Sequence, residues 1–90
     1  MERIELRVDG NAMAGAFREF FVQEMTWARI ACSGCGKIEE IGAEHAYLQA
    51  PGMVLRCCHC EAVLLVISKR SGRSLIGFRD VEWLEIEPRG

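Results

Sequence analysis

Much that would classify a chain of this size is missing from it. No apolar window reaches the roughly eighteen residues that a membrane-spanning helix needs, so no membrane association is expected. The opening stretch, MERIELRVDG, carries Glu2, Glu5 and Asp9 where a signal peptide would hold its apolar run. Export is therefore not expected, and a cytoplasmic location is. Basic charge is not in surplus either: 11 Lys and Arg stand against 13 Asp and Glu, a net charge of −2. That is not the balance of a protein whose whole surface wraps nucleic acid.

Catalytic signatures are equally thin. Gly10 and Gly15 have the Walker A interval, but Ala16-Phe17 stands where Lys-Ser/Thr is required. Gly34 and Gly36 lack the third glycine of a dinucleotide-binding loop. There is no Gly-x-Ser-x-Gly, no His-Glu-x-x-His and no convincing Ser/His/Asp set. The chain is not expected to be an enzyme. It also lacks internal repeats, low-complexity tracts and linkers, so residues 1–90 read as one small domain. Domains of this size bury little of their surface and often rely on a staple.

What is present in excess is cysteine: five in 90 residues. An odd number leaves one thiol over in any disulfide scheme, and without an export signal reduced thiols are expected. Four of the five form two pairs at the same spacing, Cys32-x2-Cys35 in CSGCG and Cys57-x2-Cys60 in CCHC. A two-residue gap lets both thiolates of one turn reach one ion, and four thiolates suit tetrahedral zinc at about 2.3 Å. Gly36 follows the first pair, where such a turn favours a residue tolerant of positive φ; Glu61 holds the matching place in the second. The spacing predicts one structural Zn2+ on Cys32, Cys35, Cys57 and Cys60. Cys58 and His59 are read as surface residues of the second turn, with Cys58 the most oxidation-sensitive thiol if exposed. His45 is read as a surface or hydrogen-bonded residue.

The remaining pattern places these turns. Residues 3–8 alternate, with Ile4, Leu6 and Val8 on one side, and predict a half-buried strand. Asp9 or Asn11 can cap a following amphipathic helix from Ala12 to about Met25, its apolar stripe formed by Met13, Phe17, Phe20, Phe21 and Met25. TWARIAC reads as a short strand, KIEEIGAEHAYLQ as one or two more, and APG at 50–52 as a turn. AVLLVIS and RSLIGFR flank KRSGR as a hairpin, and VEWLEIE reads as a bulged strand beside it, with one helical turn as the alternative. The expected architecture is a small α+β domain. An N-terminal strand and helix (1–25) pack on a zinc-ribbon-like antiparallel β core (26–90), whose second cysteine turn runs into a three-stranded sheet.

VDGNAMAG (8–15), CSGCG (32–36), APGMVLRC (50–57), the pair ending at Cys60, LL (64–65) and LEI (84–86) resemble a family of short bacterial proteins. That family is mostly actinobacterial, uncharacterised and zinc-ribbon-like. The resemblance spans almost the whole chain and implies the same four ligands, but no activity. Cys58-His59 departs from the more usual proline-containing turn.

The function expected is a non-enzymatic, zinc-stabilised interaction module. Its partner would be another protein or a second copy, met through the stripe Met13/Phe17/Phe21, if that stripe is not spent on core packing as its first reading has it, or through the outer edge of the 62–87 sheet with Phe78 and Trp83. Nucleic-acid binding through Lys69, Arg70 and Arg73 is the first alternative, with Asp80, Glu82, Glu85 and Glu87 placed to oppose it. A Cys32-x-x-Cys35 redox pair is the second.

Overall fold

The computed structural model describes residues 7–48 and 52–87. They form two antiparallel sheets and one short helix. The strands are β1 (Arg7–Asp9), β2 (Arg29–Cys32), β3 (Ile38–Glu40), β4 (His45–Tyr47), β5 (Gly52–Arg56), β6 (Val63–Arg70), β7 (Arg73–Phe78) and β8 (Val81–Glu85). One sheet has the order β1-β4-β5-β6-β7, the other β3-β2-β8.

The hairpin β6–β7 follows from its turn chemistry. Ser71 and Gly72 both take positive φ, 53° and 76°, the combination that matches the twist of two paired strands. The apolar run of β6 buries Leu64, Leu65 and Ile67 in the core. At its end β7 does not continue into a third strand of the same sheet, as expected from the sequence. Arg79 and Asp80 still donate backbone hydrogen bonds to Leu64 and Val63, but the Asp80 carbonyl accepts from Ser33 N–H. From that corner β8 crosses to β2, with Arg29 opposite Glu85 and Ala31 opposite Trp83. The register then skips Glu82, so the expected bulge is there, in the other sheet.

The N-terminal helix is also shorter than expected. A 3-10 turn over Gly10–Met13 leads into α1 (Ala14–Phe17), and a second 3-10 turn spans Met25–Trp27. The bonds Phe20 N–H to Phe17 O and Phe21 N–H to Phe17 O close the helix. Phe20, Phe21 and Val22 gain little from continuing it, because aromatic and β-branched side chains lose rotamer freedom against the preceding turn. Chain reversal instead returns Met25 to the core beside Met13 and Phe17. Asp9 caps the first turn as expected, its carboxylate accepting from Asn11 N–H.

Strand β1 falls partly within the expected 3–8 strand, whose residues 3–6 lie outside the described residues. Val8 is exposed rather than buried on the core side. Ala50 and Pro51 of the expected turn also lie outside the described residues, and Gly52 already belongs to β5. Among the described residues no helix is long and apolar enough to cross a membrane.

The core is built from Met13, Phe17, Met25, Ile30, Ile41, Leu55, Leu64 and Leu65, with Cys32 and Cys57 within it. The stripe Met13/Phe17 is thus spent on packing and is no partner surface; Phe21 is only partly buried against the core. Gly10 is enclosed so tightly that a methyl group there would overlap the Ile41 carbonyl oxygen. Phe17 is 1% exposed and Val22 96%. Phe17→Ala is expected to cost about 3–5 kcal/mol in denaturant melts, and Val22→Ala less than about 0.5 kcal/mol. Equal losses would contradict this placement of the core.

Candidate metal centre

Each cysteine pair lies at the tip of a hairpin: Cys32 to Cys35 joins β2 to β3, and Cys57 to Cys60 joins β5 to β6. The two tips repeat one backbone pattern. Cys32 N–H donates to Lys37 O and Gly36 N–H to Cys32 O; Cys57 N–H donates to Ala62 O and Glu61 N–H to Cys57 O. Two residues after each first cysteine an N–H points at its sulfur, Gly34 to Cys32 Sγ at 3.3 Å and His59 to Cys57 Sγ at 3.4 Å. Such donors favour the thiolate over the thiol.

The tips face one another. Cys32 Sγ is 3.6 Å from Cys60 Sγ, and Cys35 Sγ is 3.7 Å from Cys57 Sγ. All four sulfurs lie within 4.8 Å of one another. A tetrahedron of thiolates around an ion at about 2.3 Å has edges of about 3.8 Å, so the observed separations fit that edge. They are far longer than a disulfide bond of about 2.05 Å. Cys32 and Cys57 are buried, Cys35 and Cys60 exposed. Burial pushes the Cys57 thiol up to about 12, while the Lys37 N–H draws that of Cys35 down. Four thiols this close cannot all ionise at neutral pH unless a cation compensates them.

The second tip shows how glutamate replaces glycine. Gly36 has φ 79° and Glu61 φ 66°, so both tips need the left-handed conformation at the same place. An ordinary residue there is strained by roughly 1–2 kcal/mol. Glu61 is held by its own contacts. Its carboxylate accepts from Tyr47 Oη at 2.8 Å and pairs with His45 Nδ1, while its carbonyl accepts from Arg56 at 2.8 Å. Burial works against the Glu61 charge, but the bonds from His45 and Tyr47 outweigh it and hold its carboxyl below the usual range. His45 is accordingly a hydrogen-bonded residue and lies outside the cysteine cluster.

Cys58 and His59 are more engaged than a bare surface. Cys58 is half-buried, its N–H donates to Glu44 Oε1 at 2.9 Å, and His59 Nε2 meets Glu39 Oε2 at 2.7 Å. Burial and the neighbouring Glu44 push the Cys58 thiol up to about 11, so it is not the readily ionised thiol that an exposed residue would offer. Glu44 itself is buried at 1% exposure, and burial raises its carboxyl. Nothing in the pattern AEHAYL marked Glu44 as an interior residue; its place comes from the turn Ile41–Ala43, which brings it under the second tip.

The other expected contact residues lie elsewhere. Lys69, Arg70 and Arg73 are exposed at the β6–β7 tip, where Lys69 pairs with Glu19 at 3.5 Å. Glu82 and Glu85 lie on β8, in the other sheet, and do not flank β7; Asp80 sits at the corner between β7 and β8, its N–H bonded to Val63 O. Phe78 and Trp83 are exposed, at 44% and 41%.

The Glu61 geometry makes a prediction. Glu61→Ala loses the side-chain bonds and keeps the strain, whereas Glu61→Gly loses the bonds and relieves it. The glycine variant should be the more stable of the two by about 1 kcal/mol in thermal melts of metal-loaded protein. The opposite order would show that Glu61 is not strained.

Neither curated proteins nor solved structures contain a match to this chain. A family model does match it, over residues 3–89, and that is nearly its full length. The chain belongs to this family, a family of unknown function designated DUF6510.

Proposed function

We propose that Cys32, Cys35, Cys57 and Cys60 hold one zinc ion in a closed structural centre of zinc-ribbon type. On this reading the protein is a non-enzymatic interaction module that the ion stabilises. The observation that carries it is the cross-tip sulfur spacing of 3.6 and 3.7 Å, contributed by hairpins from two different sheets. Four thiolates leave no coordination position for water or substrate, which favours a structural over a catalytic ion. Bound there, the ion would compensate the thiolate charge, and its binding free energy would add directly to folding.

The redox reading is less well supported. The sulfurs within about 3.7 Å of Cys32 and Cys35 are those of Cys60 and Cys57, on the opposite tip. No helix begins at the pair, as a thioredoxin-like site would require.

The surfaces best suited to a protein partner or a second copy are that of β7, where Leu75 and Phe78 are exposed, and that of β8 in the other sheet, where Trp83 is exposed; β7 is an edge of its sheet among the described residues. Edge strands offer unpaired backbone groups to another chain. Nucleic acid remains the second reading, favoured by the β6–β7 tip. Among the described residues neither Arg70 nor Arg73 has an ion-pair partner, and the acids of β8 are directed to another sheet.

Protein purified without added metal should carry one zinc per chain that survives dialysis. Four thiols should become reactive only after chelation, with loss of the cooperative melt. Serine at any of the four positions should prevent zinc retention, and Cys58→Ser should not. Absence of metal together with oxidised, paired cysteines would overturn the proposal. For the second reading, the double change Arg70→Ala and Arg73→Ala should weaken DNA or RNA binding at low salt and flatten its log–log salt slope by roughly two. Failure of the unmodified protein to bind at low salt would end that reading.

A further inference from the structure

The four-cysteine centre leaves a second group of metal-ligating side chains unused. On the second tip, Cys57 and Cys60 turn toward the other hairpin, while Cys58 and His59 between them meet residues of a different neighbourhood. His59 Nε2 lies 2.7 Å from Glu39 Oε2 on β3. Cys58 Sγ, His59 and Glu39 present their ligand atoms within 4.8 Å of one another. Behind them the buried Glu44 accepts the Cys58 N–H at 2.9 Å. Among the described residues no lysine or arginine forms an ion pair with Glu39 or Glu44. Two carboxylates, a thiol and an imidazole are thus gathered in one place.

We propose that Glu39, Cys58 and His59 form a second divalent-metal site, separate from the four-cysteine centre and open at one coordination position. One sulfur, one imidazole nitrogen and one carboxylate oxygen suit a borderline ion such as Zn2+ or Co2+, and suit Mg2+ or Ca2+ poorly. Three protein ligands are the number that leaves a place for water, in contrast with the closed set beside it. An ion with bonds of about 2.0 Å to both would replace the hydrogen bond between His59 and Glu39 and part the two atoms from 2.7 Å to about 3.3 Å. Both side chains are about one-third exposed, at 36% and 34%, so they can rotate that far without disturbing the core. Coordination displaces the thiol proton of Cys58 to solvent, with no change of oxidation state.

Glu44 is a positioning residue. Its carboxylate accepts from the Cys58 N–H and lies against the Cys58 thiol from the buried side. His59 reaches across to Glu39 on β3, linking the second hairpin to the first.

The test is a Co2+ titration of the protein as purified, followed by visible spectroscopy, with zinc content measured in parallel. The expected result is one additional equivalent per chain, with charge transfer from a single thiolate and no zinc released. His59→Ala and Glu39→Gln should each weaken that equivalent by more than about tenfold. Cys58→Ser should abolish the charge-transfer band, and all three variants should keep the far-UV circular dichroism of the parent. No additional uptake would overturn the proposal, as would uptake unchanged in the three variants. A band of four-thiolate intensity that persists in Cys58→Ser would place the cobalt in the first centre and overturn it as well. Loss of the first centre would show separately, as absence of zinc in the starting protein.

Discussion

Four sulfur atoms at tetrahedral-edge distances are the constraint on which the rest of the structure depends. Two of them end the hairpin of a three-stranded sheet and two interrupt a five-stranded one. The hairpin tips would otherwise bring together thiols, two of them buried in the core with Leu64 and Ile30. Burial disfavours ionisation at Cys57, whose thiol is pushed up to about 12. A cation held there, as proposed above, would offset that cost and join the two sheets.

At that meeting point the two tips share one backbone plan. Both tips aim an N–H at the sulfur of the first cysteine and close with the same pair of backbone bonds. Gly36 adopts its left-handed conformation at no steric cost. Glu61 adopts it only because Tyr47, His45 and Arg56 hold its side chain and carbonyl. The strand switch at Asp80 contributes to the same end, since Ser33 of the first tip is bonded to it and β8 then covers β2. Preorganisation of this kind lowers the conformational cost of gathering four ligands.

Local signals in the sequence were the ones that could be read. The paired cysteine spacing pointed to the four residues that converge, and KRSGR between two apolar runs pointed to the β6–β7 hairpin. Positive φ after the second cysteine of each tip was also legible, down to Glu61 as the awkward residue. What could not be read depended on distant partners. The Met/Phe stripe has helical spacing, yet only Ala14–Phe17 is α-helical, because the core takes Met13, Phe17 and Met25 through a chain reversal. VEWLEIE has the pattern of a strand, but nothing local says that it leaves β7 for β2. Glu44 is a charged residue in a polar tract and becomes interior only because a 3-10 turn folds it beneath Cys58.

The central claim is that one ion is bound by four sulfurs drawn equally from the two tips. Zinc-edge X-ray absorption on protein carrying a single equivalent of zinc tests this most directly. Four sulfur neighbours at about 2.3 Å, with no nitrogen or oxygen in the first shell, are the predicted result. A shell with two sulfurs and lighter ligands would contradict it, showing that the hairpin tips do not share one ion.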